Sequence, residues 1–264
     1  MLGSFAVLIV ALAFWWSSRS PSSVEVPLPT AALPTGPSSP IAPSGSPSSP
    51  VPAIGYAFLA TRPDGSPYRW NPCAPIRYVV NTSGAPAGAL TDVQEAARRV
   101  SSATGISFDF AGTTSETLAQ RRSAGYVIST PEGSAWAPVL IAWASGPEFQ
   151  ALGYDPAAVG AGGPFPGEAE VGQTTGRYVS GLVALNSGTN PPPAEGFSTP
   201  TSWGVVLMHD LGHVVGLAHV EDPTQIMAAG LTQPRTVTDW GAGDRRGLAL
   251  VGRQAGCLQA VPRS

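Results

Sequence analysis

The sequence predicts an α/β (α+β) fold in which a twisted mixed sheet packs against a long buried helix. Three observations indicate it. The run 138–144, "PVLIAWA", is apolar throughout, which is typical of a central strand buried on both faces. Helical spacing at 88–105 separates strand-like runs, and a second, more apolar helix is predicted at 199–216. This order of elements predicts a partly parallel sheet, with strands at 76–81, 106–110, 138–144 and 177–186.

The first helix is predicted from apolar residues that recur three and four positions apart between 88 and 105. Thr91 is a suitable N-cap, and Gly105 is suited to end the helix. The apolar positions that would face the core are Leu90, Val93, Ala96, Ala97 and Val100.

The helix predicted at 199–216 is apolar on most sides, so we expect it to be buried. Thr199 can cap it, Pro200 suits its first turn, and Gly216 can end it. The preceding stretch 145–176 is rich in Gly and Pro and is predicted to be a long surface loop. A last helix is predicted at 238–252.

Composition limits the classes of partner. The chain has 264 residues, 43% of them hydrophobic and 12% charged, and a net charge of −3. A nucleic-acid-binding protein needs clustered positive charge to contact phosphates, and the arginines here form only isolated pairs. We therefore expect no nucleic-acid partner.

The N-terminal part indicates export. Residues 5–16, "FAVLIVALAFWW", form an apolar run that is short for a membrane span and suits a signal peptide. Whether segment 1–16 is cleaved or retained as a membrane anchor stays open. Residues 17–54 are rich in Pro and Ser and are predicted to be a disordered linker. The folded domain is expected at 55–264, in an extracellular protein that is secreted or tethered to the membrane or cell wall.

The three histidines of the chain lie within eleven residues, in "HDLGHVVGLAH" at 209–219. On a helix His209 and His213 share one face, so both imidazoles can bind one metal ion. If the helix continued, His219 would lie about 9 Å further along its axis. The chain must therefore turn back after His213, and Gly216 is the residue that tolerates the required positive φ. Three ligands leave a coordination position open, as in catalytic zinc sites.

The same stretch resembles the HExxHxxGxxH signature of the metzincin zinc peptidases. The following "VEDPTQIM" (220–227) and "GDRRGLALVG" (243–252) are most similar to the matrixin-like branch. The resemblance implies a zincin-like catalytic domain with a small C-terminal subdomain. It also implies one catalytic Zn²⁺ bound by His209, His213 and His219, with Gly216 as the turn glycine. Structural Ca²⁺ stays open.

Two further features follow from the resemblance. Met227 would lie beneath the zinc as the Met-turn residue. An edge strand mapped to 157–163 would pair with extended substrate. The sequence departs from the family pattern in lacking a fourth histidine for a second zinc, in lacking a cysteine in the linker, and in carrying Asp210 where the family has Glu.

The pair Cys73 and Cys257 is expected to form a disulfide, because an even number of cysteines in an exported protein is typical of one. The alternative is that Cys73 reaches the zinc as a latency switch.

These features predict a monomeric zinc metalloendopeptidase that acts on proteins or peptides. Asp210 would be the general base, with a side chain about 1.5 Å shorter than Glu. The alternative role for Asp210 is to orient a histidine ligand. Two other functions stay open: a catalytically weak surface recognition module that binds zinc, and a zinc hydrolase that acts on a non-peptide bond.

Overall fold

A computed structural model describes residues 55–120, 127–130, 133–170, 173–229 and 235–258. These residues belong to one compact unit, Pro50–Ser264. The predicted signal or anchor (1–16) and linker (17–54) lie outside the described residues.

The described chain contains short and long strands and four α-helices. The strands are β1 (Ala57–Phe58), β2 (Ile76–Asn81), β3 (Phe108–Thr113), β4 (Val127–Thr130), β5 (Gly133–Trp136), β6 (Val139–Ala144), β7 (Gly160–Glu170), β8 (Gln173–Asn186) and β9 (Leu217–Ala218). The helices are α1 (Ala89–Thr104), α2 (Gly146–Ala151), α3 (Trp203–Val215) and α4 (Ala242–Val251), followed by a 3₁₀ turn at Arg253–Ala255.

Five strands form a mixed sheet in the order β3-β2-β6-β8-β7. The first four are parallel to their neighbours, and β7 pairs antiparallel with β8 at the edge. The predicted mixed α/β architecture with a partly parallel sheet is therefore confirmed. β1 pairs with β9, and β4 with β5, in two small antiparallel sheets.

The core lies on both faces of the sheet, as β6 illustrates. Val139, Ile141 and Trp143 belong to the larger hydrophobic cluster, which includes the apolar residues of α1, α3 and α4. The alternate residues of β6 pack on the other face in a smaller cluster around Phe149 of α2. β6 is thus buried on both faces, which explains its unbroken apolar sequence. Trp240 and Leu248 join the larger cluster, so the segment after α3 shares the main core.

Several predicted boundaries are wrong. The stretch 145–176 is not a long loop, because it contains α2 and the edge strand β7. β3 begins at Phe108 rather than 106, and α4 spans a shorter range than 238–252.

The predicted helix starts also differ. α1 is preceded by Gly88, in a left-handed conformation, and not by a capping Thr91. α3 begins after Ser202, whose hydroxyl accepts a hydrogen bond from the Thr199 N–H (2.9 Å). Thr199 therefore forms a hydrogen bond with the N-cap residue and is not the cap itself. Within the described ranges, every helix is too short or too polar to cross a bilayer.

Candidate metal centre

The end of α3 and the turn after it bring the three histidines together. The Nε2 atoms of His209, His213 and His219 lie 3.1 Å from one another. His213 is buried and His209 partly buried, whereas His219 lies at the surface. Among the described residues this is the one group of three or more His, Cys, Asp or Glu side chains whose ligand atoms converge in this way.

Two backbone carbonyls fix the orientation of the imidazole rings of His209 and His213 on α3. The Nδ1 of His209 is 2.7 Å from the Ile226 carbonyl oxygen, and the Nδ1 of His213 is 2.8 Å from that of Leu217. A carbonyl oxygen can only accept, so both Nδ1 atoms carry the proton. In the neutral rings the Nε2 atoms then present lone pairs.

These lone pairs face a common point. Two unprotonated Nε2 atoms cannot hydrogen-bond to each other at 3.1 Å, and their lone pairs repel unless a cation lies between them. A carbonyl that holds Nδ1–H is the usual arrangement behind a metal-binding histidine. The group can therefore hold a metal ion through three neutral imidazoles.

The electrostatic surroundings keep the rings neutral. Burial lowers the pKa of His209 well below its usual value, and the nearby His213 and Arg235 add to the effect. Burial also lowers the pKa of His213 to about 4 and lowers that of His219. Each ring thus keeps a lone pair available at neutral pH.

The turn that returns His219 to the helix depends on Gly216. α3 ends at Val215, and Gly216 follows with φ 113°, a left-handed conformation that disfavours a side chain. A Cβ there would also lie 3.1 Å from the Tyr178 ring. The next residues form β9, which pairs with β1 through Phe58↔Leu217 and Ala57↔Ala218. This pairing fixes the backbone immediately before His219.

Met227 lies under the histidine-bearing helix. It is buried, and its sulfur packs so closely against Gly212 that a Cβ there would overlap it. The turn around Met227 is held by the buried carboxylate of Asp244, which accepts hydrogen bonds from the N–H groups of Ile226 (2.5 Å) and Met227 (3.2 Å). The carbonyl that orients His209 therefore belongs to a turn anchored by α4.

Asp210 points away from solvent, towards the edge strand. It is 2% exposed, and within the described structure its Oδ2 is a buried oxygen with no hydrogen-bond partner. A Cβ at Gly160 of β7 would overlap Oδ2, and one at Gly162 would lie 2.5 Å from the Asp210 carbonyl oxygen. Burial raises the pKa of Asp210 to about 8, against an opposing effect of Arg235.

Asp210 does not orient the helical ligands. The Nδ1 atoms of His209 and His213 are both occupied by backbone carbonyls. The alternative in which Asp210 positions one of these two rings is therefore not the arrangement in the structure. Asp210 instead lies in the contact between α3 and β7.

The two cysteines lie elsewhere in the molecule. Cys73, before β2, forms a disulfide with Cys257, after the 3₁₀ turn. Cys73 is thus bonded and does not join the histidines, so the alternative of a cysteine latency switch does not describe this structure.

Sequence reasoning missed three contributors to the centre. They are the short strand β1, the buried Asp244 and the partly buried Arg235, whose Nη1 donates to the Ile226 carbonyl (3.3 Å). Asp244 stands in the segment "GDRRGLALVG", which could have identified it as an anchor for the turn. A two-residue strand and a single Arg carry no comparable pattern.

The site thus unites His209, His213 and His219, with Met227 beneath α3. Asp210 follows His209 in the helix, and its carboxylate packs against β7. The expected edge strand at 157–163 overlaps the start of β7, which begins at Gly160. No protein-family model matches the chain, and no curated protein matches it either.

Proposed function

We propose that the chain is a zinc-dependent metalloendopeptidase of the metzincin type, closest to the matrixin-like branch, which hydrolyses peptide bonds of extracellular proteins. The observation that carries the proposal is the convergence of three histidine Nε2 atoms at 3.1 Å, with a buried carboxylate on the residue after the first histidine.

The donor set suits zinc. In a tetrahedral site with Zn–N bonds of about 2.0–2.1 Å, the nitrogens lie about 3.3–3.4 Å apart. The 3.1 Å separations here are close to that value. Imidazole suits zinc, although it also suits Cu, Fe and Ni. Three protein ligands leave a position for water or substrate, which favours a catalytic over a structural role.

The chain's own residues supply the rest of the chemistry. A bound zinc ion would polarise the substrate carbonyl and lower the pKa of a water molecule. Asp210 would accept the proton of that water, because it is the acidic residue adjacent in sequence to a ligand and has an oxygen that no hydrogen bond occupies. The positive charge of Arg235 favours the ionised form of Asp210, and a bound metal ion would add to this effect.

The position of β7 at the edge of the sheet favours binding of an extended substrate. β7 lies at the edge of the sheet and packs on α3 at Asp210. A peptide that added to this edge as a further strand would run beside the site, by the mode that several peptide-binding domains use. The disulfide is compatible with an extracellular location, where such bonds persist.

One observation favours a second candidate, a zinc-binding recognition module with little catalysis. Asp210 is buried against β7, and its pKa is raised to about 8 in the absence of a metal ion. A carboxyl group that stayed protonated could not act as a base. The two candidates differ in whether Asp210 is needed for turnover.

The test compares the zinc-loaded wild type with Asp210→Asn on a broad peptide panel, with and without chelator. Asparagine keeps the size and polarity of the side chain and removes the proton acceptor. We expect cleavage to fall about 10²–10⁴-fold, the usual contribution of general acid–base catalysis, while zinc content is unchanged. The control is Asp155→Asn. It changes an exposed aspartate in the turn before β7, distant in sequence from Asp210.

Two results would contradict the proposal in different ways. Equal inactivity of wild type and Asp210→Asn, with zinc bound to both, would favour the recognition module. Equal activity of both would place the base on another residue.

A further inference from the structure

Arg235 shares a hydrogen-bond acceptor with a metal-site histidine. Its Nη1 donates to the Ile226 carbonyl oxygen at 3.3 Å, and His209 donates its Nδ1–H to the same oxygen at 2.7 Å. The guanidinium therefore lies beside the imidazole of His209, separated from it by a single carbonyl oxygen.

Among the residues that the structure describes, no ion pair balances the charge of Arg235. It is partly buried, and within the described ranges no carboxylate lies within 4.0 Å of it. Arginines elsewhere on the surface do form such pairs, as Arg245 does with Asp239 at 2.9 Å. A partly desolvated cation is costly without a counter-charge, so this position favours an anion.

The two carboxylates that act on Arg235 electrostatically, Asp210 and Asp244, form no ion pair with it. Asp244 accepts hydrogen bonds from the backbone of Ile226, Met227 and Gly241. Asp210 is enclosed between α3 and Gly160. Arg235 acts on both carboxylates through its charge without forming an ion pair with either. Its guanidinium shares the Ile226 carbonyl oxygen with His209, so its positive charge lies beside the metal site.

We propose that Arg235 binds a carboxylate of the substrate, so that the preferred peptides carry an acidic group next to the cleaved bond. A guanidinium presents five N–H donors, and one hydrogen bond to Ile226 leaves most of them available. Its planar fork matches a carboxylate and can bind both oxygens. The inference rests on the proposed peptidase function and specifies its substrate class.

The carboxylate has two sources, an Asp or Glu side chain or the C-terminus of the peptide. The first test measures kcat/KM on quenched peptides that carry Glu or Gln at each position flanking the cleaved bond, with a free or an amidated C-terminus. Wild type should prefer the carboxylate form by about tenfold or more, as expected for one charge-assisted interaction. A preference for Glu over Gln that persists after amidation would identify a side chain. A preference for the free over the amidated C-terminus would identify the terminal carboxylate.

Three variants of the full chain separate this role from others. Arg235→Gln should abolish the preference. Because it also removes a positive charge that favours ionised Asp210, the readout is the ratio of kcat/KM between the Glu and Gln peptides and not the absolute rate. Arg235→Lys keeps the positive charge without the planar guanidinium and should keep part of the preference. It therefore provides the test if Arg235→Gln does not fold. Arg246→Gln, which removes an exposed Arg of α4, should behave like wild type.

A second readout does not depend on turnover. Fluorescence anisotropy would measure binding of a labelled Glu hexapeptide and its Gln counterpart to metal-free protein. Tighter binding of the Glu peptide to wild type, and equal binding of both to Arg235→Gln, would support the carboxylate site even if no peptide were cleaved. Selective binding of the Glu peptide without cleavage of any peptide would overturn the peptidase function alone. Cleavage without a carboxylate preference, or with one that survives Arg235→Gln, would overturn this inference and leave the peptidase function standing.

Discussion

Asp210 combines a position beside a metal ligand with an environment that opposes its charge. It is buried between α3 and β7, and its Oδ2 has no hydrogen-bond partner within the described structure. A Glu at this position would need room for one more methylene where Gly160 already lies in contact. We therefore infer that the site is adapted to the shorter side chain and that Asp210→Glu would overpack it.

The burial of Asp210 predicts a pH dependence of stability in the metal-free protein. Its pKa in the folded state, about 8, lies above the 3.8 typical of a free Asp. Below about pH 4 the carboxyl is protonated in both states, and its contribution to stability is fully present. As pH rises towards 8, only the unfolded state ionises freely, so the contribution of Asp210 to the free energy of unfolding falls.

Asp210→Asn should remove this fall, because asparagine does not ionise. At about 1.4 kcal/mol per pKa unit, the loss in wild type amounts to at most about 5–6 kcal/mol between pH 4 and 8. Urea unfolding of chelator-treated protein at several pH values would measure it, with Asp155→Asn as the control. Parallel stability curves for wild type and Asp210→Asn would contradict the burial of an uncompensated carboxyl.

Individual residues differ in how well the sequence predicts them. The histidines could be identified because their spacing and Gly216 constrain one another. Arg235 could not, because its place beside His209 depends on a turn between distant elements. Asp244 is similar, since its carboxylate contacts residues eighteen and seventeen positions earlier in the chain.

The close contact between α3 and β7 is possible because β7 carries glycine where it faces the helix. Gly160 and Gly162 face Asp210 at a distance that leaves no space for a side chain. Gly163, the next residue of the same strand, has no heavy atom within 4 Å of the position its Cβ would take.

Gly162→Ala should therefore destabilise the protein by about 1–3 kcal/mol, the usual cost of overpacking. The new Cβ would lie 2.5 Å from the Asp210 carbonyl oxygen and would push β7 away from α3. Gly163→Ala is the matched control and should leave stability within about 0.5 kcal/mol. Thermal unfolding of the two variants would measure this. Equal effects would show that β7 does not pack on α3 as described.

These glycines also explain why the stretch 145–176 was predicted to be a loop. Gly and Pro are depleted in strands, so a segment rich in both favours a loop. In β7 the glycines permit a close approach to the helix, and prolines are tolerated in an edge strand. β6 was predictable because all six of its residues are buried and apolar, and β2 because it is rich in β-branched and aromatic residues.

At the scale of the whole molecule, contacts between segments far apart in sequence hold the fold together, and the pairing of β1 supports the site. β1 pairs with β9 immediately before His219, and Cys73 is joined to Cys257 across 184 positions. The disulfide could be expected from the presence of two cysteines. The pairing of β1 could not, because a two-residue strand has no periodicity. That the sheet is partly parallel could be expected from the order of strands and helices along the chain.

Metal content tests the central claim, that His209, His213 and His219 form one metal site. Elemental mass spectrometry of the purified full chain, after dialysis against zinc and removal of excess, should give close to one equivalent in wild type and in Asp210→Asn. His213→Ala should lose it, because two ligands remain and the Leu217 carbonyl no longer orients a third. Absence of bound zinc in wild type, or full occupancy in a folded His213→Ala protein, would contradict the account.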